Sequence, residues 1–173
     1  MGALDVILVA VGFLYFSFLE YCIHRWIVHP LSKKHYSFFK LHLFNHHRIA
    51  KNEAMIDADY SNDNKFIIGI MFFHMPMIII SSTLLFGIII YTIVYSIMHQ
   101  RCHSIPGWAR RHAPWHYDHH MGPNHDANWG TVIPLWDALL CTRSHYARTA
   151  LEMVDIAKAK RIANRAVRRK KNI

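Results

Sequence analysis

From Phe66 to Met98 the chain runs 33 residues without an Asp, Glu, Lys or Arg. The run shows neither the three-to-four spacing of an amphipathic helix nor the alternation of a half-buried strand, so it reads as a segment bathed in apolar surroundings on every side. As one straight helix it would be about 50 Å long, against a hydrocarbon core of about 30 Å. It is therefore predicted to fold back as a helical hairpin, with the polar Ser81-Ser82-Thr83 after Pro76 as the turn and arms of about 25 Å. Ser61 and Asn62 are the expected N-caps of the first arm.

A second apolar block, Val6 to Ile23, is interrupted only by Gly12, Ser17 and Glu20. At roughly 27 Å it is long enough for one crossing. Met1 to Asp5 carries no Lys or Arg and no small-x-small site follows the block, so a cleaved signal peptide is not expected. Val6 stands where N-myristoylation wants Ser or Thr, which argues against that anchor.

These blocks predict a single-domain, all-α integral membrane protein with three transmembrane helices and a cytosolic helical cap. The expected divisions are a first span (1–29), a cytosolic stretch (30–63), the hairpin (64–99), a metal-binding cap (100–148) and a basic tail (149–173). Lys33, Lys34, Lys40, Arg48, Lys51 and the tail put the basic segments on the cytosolic side, with the N-terminus opposite. From Leu151 onward Lys and Arg alternate with apolar residues as in an interfacial helix, and Lys170-Lys171-Asn172-Ile173 resembles a dilysine retrieval signal of the endoplasmic reticulum. The net charge of +9 sits beside the apolar blocks, which favours anionic lipid over nucleic acid. Cys22, Cys102 and Cys141 form no CxxC pair and are odd in number, so no disulfide framework is expected.

The 15 histidines carry the chemistry. Ten of them fall into four clusters: His24 and His29 with Glu20, then His42, His46 and His47, then His99 and His103, then His116, His119 and His120. Residues three or four apart share a helix face, so His42 with His46, His99 with His103, and His116 with His119 and His120 are expected to converge. His24 and His29 lie about 140° apart on an α-helix, so either the helix unwinds before Pro30 or, the favoured reading, they serve different metals. Ten imidazoles exceed the four of a closed zinc site and match two ions with about five ligands each. Because all clusters follow apolar segments, a shared site demands an even number of crossings between them. Imidazole suits iron, copper, nickel and zinc alike. His35, His112 and His145 read as surface groups, His125 as a near neighbour of the last cluster, and His74 as a helix bridge or a polar group on a substrate path.

The segments EYCIHRWIVH, the His42 to His47 box, Tyr95 to His103, His116 to His120, and NWGTVIPLWDALLCT from Asn128 to Thr142 together resemble the fatty acid hydroxylase and sterol desaturase superfamily, most closely the fatty acid hydroxylases. The likeness covers about Phe18 to Thr142. Three residues separate His42 from the histidine pair where close relatives often have two. The resemblance implies an oxygen-dependent mixed-function oxidase with two metal ions, iron as the working metal and zinc sometimes found in isolated members. Dioxygen would be co-substrate and a membrane lipid, a fatty acyl chain, the substrate. No b-type cytochrome segment of the kind fused to some members is present, so electrons are expected from a separate cytochrome, ferredoxin or reductase. Glu20 is expected to accept an imidazole N–H from His24 or a neighbour, with Asp137 and Asn128 in similar supporting or capping roles.

Desaturases and sterol or carotenoid-type hydroxylases share these clusters and compete with acyl hydroxylation. A metal carrier would place ionisable groups along a crossing route, and only His74 lies deep in an apolar block. The resemblance places the protein in the endoplasmic reticulum of a eukaryote or the inner membrane of a bacterium.

Overall fold

The structure, a computed structural model, describes residues 2–34, 39, 41–57 and 61–158, with 61–63 as backbone alone. The predictions for His35, Lys40, the capping side chains at 61 and 62, and the tail beyond 158 lie outside the described residues. Those residues form helices and loops, with no strand among them.

Helix α1 (Ala3–Ile23) continues without a break through a π-helical turn (His24–Val28) into α2 (His29–Ser32). A second π-helical turn (His42–His47) leads into α3 (Arg48–Asn52). Helix α4 (Ser61–Phe73) is followed by a 3-10 turn (Met75–Ile79) and by α5 (Ser82–Ser104). Short helices α6 (Pro106–His112), α7 (Pro114–Met121) and α8 (Leu135–Leu139) build the remainder, and 150–158 is again helical.

The hairpin turn falls earlier than its sequence suggested. Pro76 lacks a backbone N–H and suits the first turn of the 3-10 segment, whereas Ser81 is the N-cap of α5, its hydroxyl accepting from Leu84 N at 3.2 Å. The arms are consequently unequal, 13 residues in α4 and 23 in α5. Only the second is long enough by itself for a crossing.

Helices α1 and α5 run parallel and in contact. A Cβ at Gly12 would meet the Leu84 carbonyl, and one at Gly87 would meet Val9 O and Phe13 N, so each glycine lets the opposite backbone approach. Further along, Tyr91 packs edge-on against Phe13 and Phe16 and donates to Glu20 at 3.1 Å. Both helices thus end at the same level, where the histidines begin, and α4 with its 3-10 turn is the returning strand of chain between them. His74 ties that return to α1, with Nε2 3.1 Å from Tyr15 Oη and Nδ1 donating to Ile70 O at 2.9 Å. It bridges helices, the blander of its two expected roles.

The outer faces of these helices are apolar. Val6, Ile7, Val11, Phe72, Phe73, Ile79, Ile80, Ile93 and Ile97 are exposed, a surface that water would not tolerate as a contiguous patch. The runs Ala3–Ser32 and Ser82–Ser104 are long and apolar enough to cross a membrane, and only 28% and 39% of their apolar windows are buried in the protein. Core helices of a soluble domain would bury most of theirs, so lipid is the surrounding these faces fit.

Candidate metal centre

All ten clustered histidines meet where α1, α5 and α7 end, although each comes from a different local geometry. The first surprise is His24 with His29. The π-helical turn closes an i to i+5 hydrogen bond, His29 N to His24 O, which widens the helix and returns residue i+5 to the face of residue i. The helix neither unwinds nor sends the two rings to different places: the centroids are 4.9 Å apart and both belong to one group, which corrects the expectation of separate metals. The second π-helical turn does the same for His42 and His47, five residues apart, and sends His46 elsewhere. His42 and His46 therefore approach each other, with ring centroids 5.4 Å apart, but fall in different groups.

Two groups result. In the first, His24, His29, His42, His47 and His119 each offer a nitrogen, all within 4.8 Å of one another. His46, His99, His103 and His120 form the second by the same measure. His116 falls outside both sets, yet its Nε2 is 3.1 Å from His103 Nε2, at the edge of the second group. Consecutive residues are split: His46 from His47, and His119 from His120. Neighbours on a helix diverge by about 100°, so each HH pair feeds both groups and fixes them side by side. The His47 and His120 rings, one from each group, stack at 4.3 Å.

The chemistry of this donor set fits metal ions. His24 and His42 Nε2 are 3.1 Å apart, and His47 and His42 Nε2 3.2 Å. Adjacent ligands about 2.0–2.1 Å from a common ion are separated by about 2.9–3.4 Å. Both ring nitrogens of His29, Nδ1 of His47 and His120, and Nε2 of His119 are buried without a hydrogen-bond partner, a costly arrangement that a cation bound at one nitrogen of a ring would relieve in part. Burial first, and the neighbouring imidazoles next, hold His47 and His120 well below the ordinary pKa of 6.5. The same causes lower His116 and His119. The rings are thus neutral at physiological pH, with lone pairs free to ligate.

Other groups select which nitrogen faces the neighbouring rings. His24 Nδ1 donates to Trp129 O and His119 Nδ1 to Ala127 O, both at 2.7 Å, while His103 Nδ1 donates to Met55 O at 2.9 Å. In each case Nε2 is the nitrogen turned toward the other imidazoles, 3.1 Å from His42 Nε2 for His24 and from His116 Nε2 for His103. Asp57 sits 2.5 Å from His46 Nδ1 and is itself buried. Sequence reasoning missed it, because Asp57 lies beyond α3 and nothing in its local sequence marks it.

The three supporting residues singled out from sequence act by different routes. Glu20 Oε1 is 3.9 Å from His24 Nδ1, too far for the expected bond, and its carboxylate instead accepts from Thr131 Oγ1 at 2.9 Å and from Tyr91. Asp137 accepts from the backbone of Trp129 and Gly130 at 2.8 and 2.9 Å and from Thr142 Oγ1 at 2.7 Å, so it braces a loop and touches no imidazole. Asn128 has φ +61°, the left-handed region that Asn enters more readily than most residues. Its side chain is held by Ser144 and Arg143, and the turn directs the two flanking carbonyls, Ala127 O and Trp129 O, at His119 and His24. His125 donates to His119 O at 3.0 Å and joins neither group. His112 and His145 are exposed, as expected of surface groups.

Beside the histidines lies a cavity of about 350 Å³, walled by His42, His46, His99 and His120 at one end and by apolar side chains such as Ile23, Phe66, Ile67 and Ile70 along α1 and α4.

Two helices long and apolar enough to cross a membrane, and two largely buried polyhistidine groups that could hold metal ions, define a class of histidine-rich helical proteins. The model of the fatty acid hydroxylase family matches residues 9–142, and the chain belongs to that family. No curated protein and no solved structure matches it.

Proposed function

We propose that the chain is an oxygen-dependent hydroxylase that inserts oxygen into an unactivated C–H bond of a membrane lipid, a fatty acyl chain. The observation that carries this reading is the apolar cavity ending on both histidine groups. A lipid chain already dissolved in the bilayer would meet the histidines along the apolar wall of Ile23, Phe66, Ile67 and Ile70.

In this reading His24, His29, His42, His47 and His119 hold one metal ion, and His46, His99, His103 and His120 the other, with His116 completing the second set. What two iron ions supply there, when bound, is reductive activation of dioxygen strong enough for an alkyl C–H bond. The protein's own work is positioning and exclusion. Backbone carbonyls and Asp57 fix imidazole tautomers, and the Asp57 carboxylate makes the His46 ring a stronger donor. Phe66, Ile67 and Ile70 keep the chain-binding wall dry, which protects reactive species from water. Electrons come from a separate donor protein.

The parallel course of α1 and α5 supports a third crossing by the α4 segment, because both long helices end at the metal level. With the basic loops beside that level, the metal face is cytosolic and the N-terminus lies opposite. The membrane is the endoplasmic reticulum in a eukaryote or the inner membrane in a bacterium.

The test is mass spectrometry of lipids from cells with and without the protein, grown under labelled dioxygen. The expected result is acyl chains carrying one added labelled oxygen. Chains that instead lose two hydrogens would replace hydroxylation by desaturation, and an unchanged lipid profile would contradict both.

A further inference from the structure

The cavity wall carries a feature that the metal chemistry leaves unused. Two charged side chains line it, Glu20 and Lys65. Glu20 is buried and already accepts from Thr131 and Tyr91. Lys65 is different. It lies early in α4, one residue before Phe66 of the apolar wall, and is exposed at the rim. Among the described residues no carboxylate forms an ion pair with it.

We propose that the cavity takes an acyl chain bearing an anionic head, a carboxylate or a phosphate monoester, and that Lys65 binds the head. This rests on the acyl-substrate reading above. Ligand pockets are largely apolar with a few polar groups that fix orientation, and here the one available cation stands where the apolar wall meets the cytosolic level of α4. A Lys at such a position runs its methylene stem along apolar surface and keeps its ammonium at the polar boundary, the depth of a lipid head. An acyl chain with an uncharged head would gain the apolar contacts alone.

The experiment uses the purified full chain in phosphatidylcholine nanodiscs at alkaline pH, where a fatty acid is ionised. Binding is measured by equilibrium dialysis for two matched pairs: palmitate against methyl palmitate, and palmitoyl-glycerol phosphate against palmitoyl-glycerol. The wild type is expected to favour the anionic member of at least one pair by about threefold to tenfold, as one partly exposed ion pair permits. The favoured pair identifies the head as carboxylate or phosphate. Lys65→Met should abolish the preference and Lys65→Arg should retain it. Equal binding within both pairs, or a preference that survives in Lys65→Met, overturns the role of Lys65 while leaving the acyl cavity standing. If no member of either pair binds, the acyl-substrate reading falls together with it.

Discussion

Each imidazole has two nitrogens, and a metal site works only if the correct one is free. His24, His103 and His119 each use Nδ1 on a backbone carbonyl, and His46 uses Nδ1 on Asp57. A carbonyl cannot be removed by mutation, but Asp57 can. Asp57→Asn keeps the shape and loses the charge that raises the basicity of His46. It should weaken metal retention at the second group by about tenfold to a hundredfold, the usual cost of losing such a partner. Competition with a chelator would measure this, and unchanged retention would remove Asp57 from the site. The ten histidines were legible in the sequence because recurrent spacing beside apolar blocks is visible in one dimension. Asp57 was not, because its contact is made by a chain reversal that no local pattern announces.

The two π-helical turns hold the largest difference between the sequence and the folded chain. An α-helical reading of His24 and His29 gives divergent rings, and pairs His42 with His46; the wider turn instead puts His24 with His29 and His42 with His47. Both boxes contain the spacing i to i+5, and that repeated interval was the readable sign. Both long apolar helices were also legible, since an uncharged run has few alternatives, but the position of the hairpin turn was not: Pro76 starts the turn and the Ser81 hydroxyl caps the next helix. The contact between α1 and α5 gives a direct test. Gly87→Val would push a side chain into Val9 O and Phe13 N, neither of which can move aside. The expected cost is about 2–3 kcal/mol, read as a lower thermal midpoint in detergent. Gly69→Ala, inside α4 where the added carbon meets nothing within 4 Å, should leave the midpoint unchanged or slightly raised. Equal behaviour of the two variants would refute the close helix contact.

For the molecule as a whole, metal and fold are coupled through protons. Burial keeps His47, His116, His119 and His120 neutral in the folded chain, with pKa values well below the 6.5 of the unfolded one. Below that value the unfolded state takes up protons that the folded state does not, so the stability contributed by these groups is fully present above it and is lost as pH falls below. The metal-free protein should show a falling thermal midpoint from about pH 6.5 downward, and a midpoint that rises in acid would contradict the burial of these rings. The same protons compete with metal for the lone pairs, so acid should also release the ions. The proposed reaction depends on the two histidine groups acting as two metal sites. The ratio of metal to protein, measured by inductively coupled plasma mass spectrometry on the purified full chain, tests that most directly. The account predicts about two ions per chain, falling to about one when His29, which belongs to a single group, is replaced by Ala. A wild-type chain that holds one ion or none after growth in metal-replete medium would contradict it.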